Sequence, residues 1–364
     1  MELNNAAARP SYKIHALLGI ALLLVAGTVL WLYFGQGTSQ TPYESTDLLM
    51  GTYVQQTVYG KNSEQAAEDA AARISELESL ISWRVEDSDI YNINRLAGVE
   101  YTDIDERTFS LLERCLDVAK QSGGAYDPTI YPLTALWDIG GEDQKVPTAE
   151  EIGEFLPYVD YRGLRLKEEN RSASLKYKKT ALDLGGAGKG AACDEAVAAY
   201  QAAGADAAIV SVGGSVGVYG TKEDGSDWKI AIRDPFSEEE SISSIGTLHI
   251  ESGFISTSGT YEKRFTEDGR TYHHILDPTT GYPAESDLVS ATVWHENGAM
   301  TDLLSTACIV LGREESLPLL AHYGAQAVLV GADGSLYCTE GIRDRVVLND
   351  AERGLEVLTA DGAQ

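Results

Sequence analysis

Helical and strand-like patterns follow each other irregularly along this chain, and their order limits the fold more than any other feature. Apolar residues at three- and four-residue spacing predict helices over residues 64–81, 106–122, 189–203 and 299–310. Short apolar runs predict strands at 207–212, 228–233, 289–294 and 327–330. Because the two patterns do not alternate regularly, we expect an α+β fold rather than a parallel doubly wound sheet. The absence of an internal repeat predicts one integrated region at 49–350, between a polar linker at 35–48 and a C-terminal tail at 351–364.

A long apolar segment lies near the N-terminus. Residues 16–34 are uncharged and mostly apolar, which is long enough to cross a bilayer as a helix. Arg9 and Lys13 precede this segment and the sequence after it turns acidic, so the positive-inside rule places residues 1–15 in the cytoplasm. We therefore expect a single-pass anchor in the cell membrane, with the following region on the extracytoplasmic side. A cleaved signal peptide is the competing interpretation.

The chain is strongly acidic. Its 364 residues include 28 Lys and Arg against 56 Asp and Glu, for a formal net charge of −28. Such a surface repels nucleic-acid phosphates, so we expect no binding of DNA or RNA. It also repels an anionic small ligand, unless a metal ion or local donors reverse the sign in one cleft.

Residues 180–191, TALDLGGAGKGA, place a glycine-rich turn between a short apolar strand and a helix. Glycines let backbone N–H groups approach a ligand, and the N-terminus of a helix favours an anion. A P-loop is excluded, because Asp183 stands where Gly is required and Gly190 follows Lys189 in place of Ser or Thr. The sequence at 186–191 does match the G-x-G-x-x-A pattern of dinucleotide-binding folds. A tight turn without any ligand is the alternative.

The predicted helix at 299–310 carries a carboxylate and a hydroxyl one turn apart. Asp302 and Thr306 are at i and i+4, with Cβ atoms about 5–6 Å apart on one helix face. The two side chains could share one hard cation, with water or backbone carbonyls completing an oxygen shell. The alternative is that Asp302 only caps the helix or interacts with its dipole.

Two turns carry candidate proton-transfer and binding residues. In YHHILDPTTGYP, His274 and Asp277 are the side chains best suited to move a proton near neutral pH. His273 faces away from His274 if this segment is a strand, so only one of them can serve a given site. In GGAYDPT, Tyr126 and Asp127 could hold a ring and a carboxylate at the mouth of a cleft.

Together these segments resemble one family, the ApbE-type flavin transferases (FAD:protein FMN transferases). The resemblance begins at M-G-T, residues 50–52, and ends at the D-x-x-x-T of Asp302 and Thr306. Between them the family's motifs follow in order: S-W-R at 82–84, S-D-I at 88–90, A-Y-D-P-T at 125–129, D-L-G-G-A-G-K-G at 183–190, G-G at 213–214, I-R-D-P at 232–235, T-S-G at 257–259, H-I-L-D-P at 274–278 and T-G at 280–281. The match covers about residues 49–345.

The resemblance implies an enzyme that uses FAD as substrate and Mg²⁺ as cofactor. Such an enzyme moves FMN to a Thr or Ser hydroxyl of a partner protein and releases AMP. The resemblance implies that the metal is held by Asp302, Thr306 and a backbone carbonyl near Gly186. It assigns the surroundings of FAD to ten residues: Met50, Trp83, Ala125, Tyr126, Asp127, Asp183, Lys189, Thr257, His274 and Leu276.

The chemistry of this reaction fits the residues. An alcohol attacks a pyrophosphate only where phosphate charge is neutralised and a base takes the hydroxyl proton. Mg²⁺ and Lys189 would supply the first, and either His274 or Asp277 the second. The same site could instead hydrolyse FAD to FMN and AMP, and a flavin-binding protein without turnover is a further alternative.

The resemblance also suggests the kind of partner and shows three departures from the family pattern. The expected acceptors are exported subunits of Rnf- or Nqr-type electron-transport complexes, or extracellular reductases.

Ser215 stands where the family usually has Asp or Asn, Trp83 where Tyr is commoner, and Thr279 where Arg or Lys is usual. Serine at position 215 leaves in question a hydrogen bond that Asp or Asn would make to the ligand. Threonine at position 279 removes the positive charge that Arg or Lys would bring there.

Overall fold

The structure, a computed structural model, describes residues 41–237 and 241–359. The predicted membrane anchor at 16–34 and the cytoplasmic segment at 1–15 lie outside these residues. Within the described ranges, no helix is long and apolar enough to cross a membrane.

Helices form at all four predicted places, and shorter helices connect them. They are α1 (Ser63–Ile81), α2 (Asp89–Arg95), α3 (Glu106–Gln121), α4 (Tyr131–Trp137), α5 (Ala149–Phe155), α6 (Gly188–Ala203), α7 (Gly298–Leu311) and α8 (Arg313–Tyr323). The strands are β1 (Tyr43–Leu49), β2 (Thr52–Tyr59), β3 (Thr102–Asp103), β4 (Leu164–Lys167), β5 (Ser172–Leu175), β6 (Ala207–Val212), β7 (Ser215–Gly220), β8 (Trp228–Arg233), β9 (Ser244–Ile250), β10 (Gly253–Gly259), β11 (Arg264–Glu267), β12 (Arg270–His273), β13 (Leu288–His295), β14 (Gln326–Gly331), β15 (Leu336–Thr339), β16 (Val346–Leu348) and β17 (Glu356–Leu358).

A nine-stranded sheet in the order β1-β2-β6-β7-β10-β13-β14-β15-β17 forms the centre of the fold. Its neighbours pair antiparallel except for β15 and β17, which pair in parallel. Along the chain, helices α1 to α6 lie between β2 and β6, and α7 and α8 lie between β13 and β14. Strands β10 and β13 are instead separated by the hairpin of β11 and β12. The predicted α+β fold is therefore confirmed.

The two faces of this sheet belong to different cores, as the side-chain alternation of strands requires. In β14, Ala327 and Leu329 join a cluster with the buried faces of α1, α3, α6 and α7. Val328 and Val330 face the other way, in a cluster with residues of the three-stranded sheet β16-β9-β8. The helices thus cover one face and the small sheet covers the other. The described residues from Pro42 onward belong to one compact unit.

Two segments that the sequence indicates as linker and tail contain strands. Residues 43–49, in the second half of the expected linker, form β1 and pair with β2 at the edge of the large sheet. Their polar side chains alternate between half-buried and exposed positions, which is how an edge strand can be hydrophilic. In the expected tail, Glu356–Leu358 forms β17 against β15.

Helices α6 and α7 approach each other so closely that only glycine fits at the contact. A Cβ added at Gly190 would lie 1.9 Å from the carbonyl oxygen of Gly298, and one added at Gly298 would lie 2.2 Å from that of Gly190. This contact brings the first turn of α6 next to the first turns of α7. The glycine-rich motif and the Asp302 motif, more than 100 residues apart in sequence, are therefore neighbours.

Candidate active site

The glycine-rich segment is held in place by backbone and amide hydrogen bonds. The Asn94 side chain accepts from the Leu182 amide at 2.7 Å and donates to the Leu182 carbonyl at 3.0 Å, as a neighbouring strand would. The amide of Asp183 donates to the Pro128 carbonyl at 2.9 Å. The loop therefore lies directly against the A-Y-D-P-T turn, as both motifs of one site must.

Asp183 organises the loop with its carboxylate. Its Oδ1 accepts from the Gly185 amide at 2.8 Å and its Oδ2 from the Thr134 hydroxyl at 3.2 Å. The phenol of Tyr131 interacts with the same carboxylate: its pKa is raised first by burial and then by the charge of Asp183. Asp183 thus ties the loop to the start of α4.

Lys189 lies at the start of α6, over the loop that precedes it. Its Nζ donates to the Gly185 carbonyl at 3.2 Å, and its Cδ lies 3.4 Å from where a Cβ at Gly213 would be. None of the ion pairs formed within the described residues involves Lys189. Its ammonium charge is therefore available to an anion at the loop.

The carboxylate of Asp302 on α7 contacts the first turn of α6, which carries Lys189. It is 5% exposed, and its Oδ2 accepts from the Gly190 amide at 2.7 Å while its Oδ1 accepts from the Ser215 hydroxyl at 2.6 Å. The alternative role of a helix cap is filled by other residues. The Asn297 side chain accepts from Met300, and the Asp194 carboxylate accepts from the first two amides of α7.

Thr306 extends the same helix face towards the glycine-rich loop. A Cβ added at Gly186 would lie 3.3 Å from Thr306 Oγ1 and 3.2 Å from Tyr126 Cε2, so the backbone of Gly186 is close to both side chains. The Ser258 hydroxyl lies 3.4 Å from Thr306 Oγ1. The three residues expected to bind metal thus lie together, with Tyr126 beside them.

This arrangement fits a hard divalent cation. Carboxylate, hydroxyl and carbonyl oxygens are the ligands that Mg²⁺ accepts, and it keeps several waters or phosphate oxygens besides. Each oxygen of Asp302 accepts one hydrogen bond and keeps a lone pair for a cation. Within residues 41–237 and 241–359 no three His, Cys, Asp or Glu side chains converge, so the hydroxyl and the backbone carbonyl are needed to complete the site.

Apolar and aromatic side chains border the loop on the side of β1 and β2. Met50 Cε would lie 3.2 Å from a Cβ at Gly188, and the Met50 amide is held at 2.8 Å by the carboxylate of Glu78. The half-buried ring of Trp83 lies 4.6 Å from that of Tyr131, and the Arg84 guanidinium covers Trp83 at 3.9 Å. Such flat surfaces suit stacking against a heteroaromatic ring.

The A-Y-D-P-T turn is rigid and mostly buried. Asp127, 6% exposed, accepts from the amide and the hydroxyl of Thr129 at 2.8 and 2.6 Å and from the Tyr161 amide at 2.8 Å. Burial raises its pKa even so. The Tyr126 hydroxyl lies 3.5 Å from the thiol of Cys115, and Ala125 is buried beside it. Asp127 therefore shapes the turn, and Tyr126 presents its ring edge towards Gly186.

His274 is the proton-transfer candidate nearest to the lysine. Burial, and then the positive charges of Lys263 and Lys189, lower its pKa to about 4, so the imidazole is neutral at pH 7. Its Nδ1 is buried without a hydrogen-bond partner. His273 is oriented differently, with its Nε2 3.0 Å from the Ala284 carbonyl. Of the two histidines, His274 is the one within the electrostatic influence of Lys189.

Three other predicted residues make their side-chain contacts with other partners. The Oδ1 of Asp277 accepts from the amide and the hydroxyl of Thr279 at 2.8 and 2.7 Å, within its own turn. Leu276 is buried in a small apolar cluster with Leu133 and Trp137. The Thr257 hydroxyl pairs with Thr292 at 2.9 Å.

Several residues that support the site carry no signal in the sequence. Asn94 and Thr134 orient the loop, and Ser256 on β10 bonds to Thr301 on α7. Each is a common polar residue within an ordinary helix or strand. Ser258 and Ser215 do have a signal, because Ser258 belongs to the T-S-G motif and Ser215 departs from the family pattern.

The fold and the site define an α+β protein in which a glycine-rich loop, a lysine and a carboxylate–hydroxyl pair of a neighbouring helix meet. The model of the ApbE family matches residues 50–329, and the chain belongs to this family.

Named relatives and solved structures agree with this assignment. The chain is 32% identical to the FAD:protein FMN transferase of Treponema pallidum (strain Nichols), over 86% of this chain and 91% of that protein. It is 30% identical to an FAD:protein FMN transferase of Klebsiella pneumoniae (strain 342), over 76% and 85%. The crystal structure of the ApbE protein from Thermotoga maritima superposes with a TM-score of 0.77 at 32% identity, over 84% of this chain and 99% of that one. The apo form of the Pseudomonas stutzeri flavinyl transferase ApbE gives a TM-score of 0.72 at 27% identity, over 84% and 96%.

Proposed function

We propose that this chain is an Mg²⁺-dependent FAD:protein FMN transferase that moves FMN from FAD to a Thr or Ser hydroxyl of an exported partner protein and releases AMP. The observation that carries the proposal is the meeting of Lys189, the Gly185–Gly186 loop and the Asp302–Thr306 pair, bridged by the 2.7 Å bond from Gly190 to Asp302. Its relatives named FAD:protein FMN transferase support the reaction.

The reaction exchanges a phosphoanhydride bond of FAD for a phosphoester bond to the acceptor. The acceptor hydroxyl oxygen forms a bond to the FMN phosphorus, the bond from that phosphorus to the bridging oxygen breaks, and AMP leaves with that oxygen. Mg²⁺, when bound by Asp302, Thr306 and the Gly186 carbonyl, would supply neutralising charge for the pyrophosphate. Lys189, whose Nζ lies 3.2 Å from the Gly185 carbonyl oxygen, would add a second positive charge beside the loop.

The proton of the acceptor hydroxyl needs a base. His274 is neutral at pH 7 and keeps a buried, unpartnered nitrogen that can accept a proton, but its lowered pKa of about 4 makes it a weak base. Asp277 is the alternative, although its Oδ1 already accepts two bonds from Thr279. The ring of Trp83 and the thioether of Met50 would hold the flavin or adenine ring, with the ring edge of Tyr126 beside Gly186.

The site of action follows from the N-terminal sequence. We infer that residues 16–34 anchor the chain in the cell membrane with the transferase on the extracytoplasmic side, and that its acceptors are Rnf- or Nqr-type subunits or extracellular reductases. The apolar span, the preceding Arg9 and Lys13 and the acidic region after them support this topology.

The test is a reconstituted reaction with the full chain purified in detergent. It is incubated with FAD, MgCl₂ and a candidate Rnf- or Nqr-type subunit of the same host, and with that subunit carrying Thr→Val at its acceptor site. We expect flavin bound covalently to the first subunit only, with one AMP released for each flavin transferred.

Two results would contradict this function. AMP and free FMN formed at the same rate with or without a subunit would show a hydrolase. FAD bound with neither product formed, across several candidate subunits, would show a binding protein.

A further inference from the structure

Three buried hydroxyl groups form a line behind the carboxylate of Asp302. Ser215 on β7 donates to Asp302 Oδ1 at 2.6 Å, Ser256 on β10 donates to Ser215 at 3.0 Å, and Thr301 on α7 lies 2.7 Å from Ser256. Their exposed fractions are 1%, 1% and 0%, so water does not compete for these bonds. The line therefore belongs to the interior of the protein, between the large sheet and α7.

The number of hydroxyl protons determines which way the hydrogen bonds in this line are donated. A hydroxyl has one proton and an ionised carboxylate can only accept, so Ser215 must donate to Asp302 and receive from Ser256. Thr301 then donates to Ser256 or to the Gly298 carbonyl, which lies 2.6 Å from its Oγ1. The hydroxyl dipoles of Ser215 and Ser256 thus point towards the carboxylate, which strengthens the last bond because its acceptor is charged.

The other oxygen of Asp302 is fixed as well. Its Oδ2 accepts from the Gly190 amide at 2.7 Å, so one carboxylate oxygen is held by α6 and the other by β7. A carboxylate restrained in this way cannot rotate about its terminal bond without losing a buried hydrogen bond. Its remaining lone pairs are therefore held in one orientation, on the helix face that Asp302 shares with Thr306.

We propose that Ser215, supported by Ser256, is a positioning residue that orients the Asp302 carboxylate for a divalent cation. This inference rests on the metal site of the proposed function. The hydroxyl at position 215 binds Asp302 without adding charge, whereas Asp at this position would place a second negative charge beside that carboxylate. Partners that orient a metal ligand from outside typically contribute 10- to 100-fold to metal affinity.

The experiment titrates the full chain with Mn²⁺ alone, an EPR-visible probe of the same oxygen ligands, and measures the dissociation constant without FAD. We expect Ser215→Ala to weaken Mn²⁺ binding roughly tenfold or more, and Ser215→Thr, which keeps the hydroxyl, to restore most of it. Ser256→Ala removes the next link and should produce a smaller loss in the same direction. Ser290→Ala, which removes a buried serine of β13 outside the line, is the matched control and should leave binding unchanged.

A purely structural role of the serine would give a different pattern. In that case Ser215→Ala would lower the melting temperature equally with and without Mn²⁺ and leave the dissociation constant within twofold of the unmodified chain. That result, together with loss of binding in Asp302→Ala, would overturn the positioning role while leaving the metal site intact. Mn²⁺ binding that Asp302→Ala does not change would overturn both. If Ser215→Ala does not fold, Ser256→Ala and Ser215→Thr give the same comparison.

Discussion

The amide of Gly190 donates a 2.7 Å hydrogen bond to Oδ2 of Asp302, across 112 residues of sequence. This bond joins the first turn of α6, which carries Lys189, to the face of α7 that carries Thr306. A cationic side chain and a carboxylate thus both contact one glycine-rich segment, at Gly185 and Gly190. The candidate site exists because two helices approach closely enough for that bond to form.

Asp302→Asn should abolish most of the metal-dependent activity. The amide keeps the size of the carboxylate but removes its charge, and its NH₂ group must face one of the two donors that now bind the oxygens. We expect FMN transfer to fall by roughly 10²–10³, by analogy with the loss of one charge-stabilising donor. Transfer rates measured over a range of Mg²⁺ concentrations provide the check. Asp224→Asn, in an exposed loop, is the control, and an Mg²⁺ dependence that Asp302→Asn leaves unaltered would exclude this carboxylate as a ligand.

Gly190→Ala should destabilise the protein and weaken the site at once. Its methyl group would lie 1.9 Å from the Gly298 carbonyl oxygen, so α6 and α7 must move apart. Overpacking of this kind typically costs about 1–3 kcal/mol of unfolding free energy. Urea denaturation measures the change.

Gly153→Ala is the matched substitution for this test, because nothing lies within 4 Å of a Cβ at Gly153 in α5. It should leave stability unchanged or raise it by about 0.5–1 kcal/mol, as alanine does inside a helix. Equal stability of the two variants would contradict the close contact of α6 and α7.

His274 makes the stability of the protein depend on pH. Burial lowers its pKa from 6.5 to about 4 in the folded chain, so between these values the unfolded chain binds the proton more readily. The free energy of unfolding should therefore fall as the pH decreases from about 6.5 to about 4. Asp194 acts in the opposite direction, because burial raises its pKa to about 6.

A comparison with His274→Gln isolates the histidine, since Asp194 contributes equally to both proteins. Denaturation from pH 7 to pH 4.5 should show a shallower loss of stability in the variant than in the unmodified chain. His322→Gln, at an exposed position of α8, serves as the control. Parallel curves for the unmodified chain and His274→Gln would show that the imidazole is not buried as described.

The helices and the central strands follow from the sequence because their apolar periodicity is local. Helix α7 was predicted at 299–310 and spans Gly298–Leu311, and the strand predicted at 207–212 is β6. Strand β1 was not predicted, because an edge strand with polar side chains lacks an apolar pattern. Local periodicity does not reveal which strands pair or which helices touch.

The site was predictable in its principal residues and not in its supporting ones. Spacing alone favours Asp302 as a helix cap or dipole partner, and the order of the family motifs is needed to indicate a metal ligand. The contacts of Ser256 with Thr301 and of Asn94 with Leu182 depend on strand pairing and helix packing across 45 and 88 residues. In the sequence, Ser215 is notable only because it departs from the family pattern. In the structure, its hydroxyl donates a hydrogen bond to Asp302.

The acidity of the chain leads to a prediction about Lys189 and the metal together. A protein of net charge −28 must attract the pyrophosphate of FAD locally, and Lys189 is the cation that contacts the glycine-rich loop. We expect Lys189→Met to weaken FAD binding roughly tenfold or more in the presence of Mg²⁺, and removal of Mg²⁺ by EDTA to weaken it in the unmodified chain. Quenching of flavin fluorescence measures both dissociation constants, with Lys229→Met as the control on an exposed position of β8.

Because the two positive charges act on the same pyrophosphate, their effects should not be independent. The loss of affinity on adding EDTA to Lys189→Met should differ from the loss in the unmodified chain, and the difference between the two losses is the coupling between lysine and metal. Additive losses would place the lysine and the metal at separate sites. Tight FAD binding that neither EDTA nor Lys189→Met alters would contradict the prediction, because it would show that this acidic protein holds FAD without neutralising its pyrophosphate.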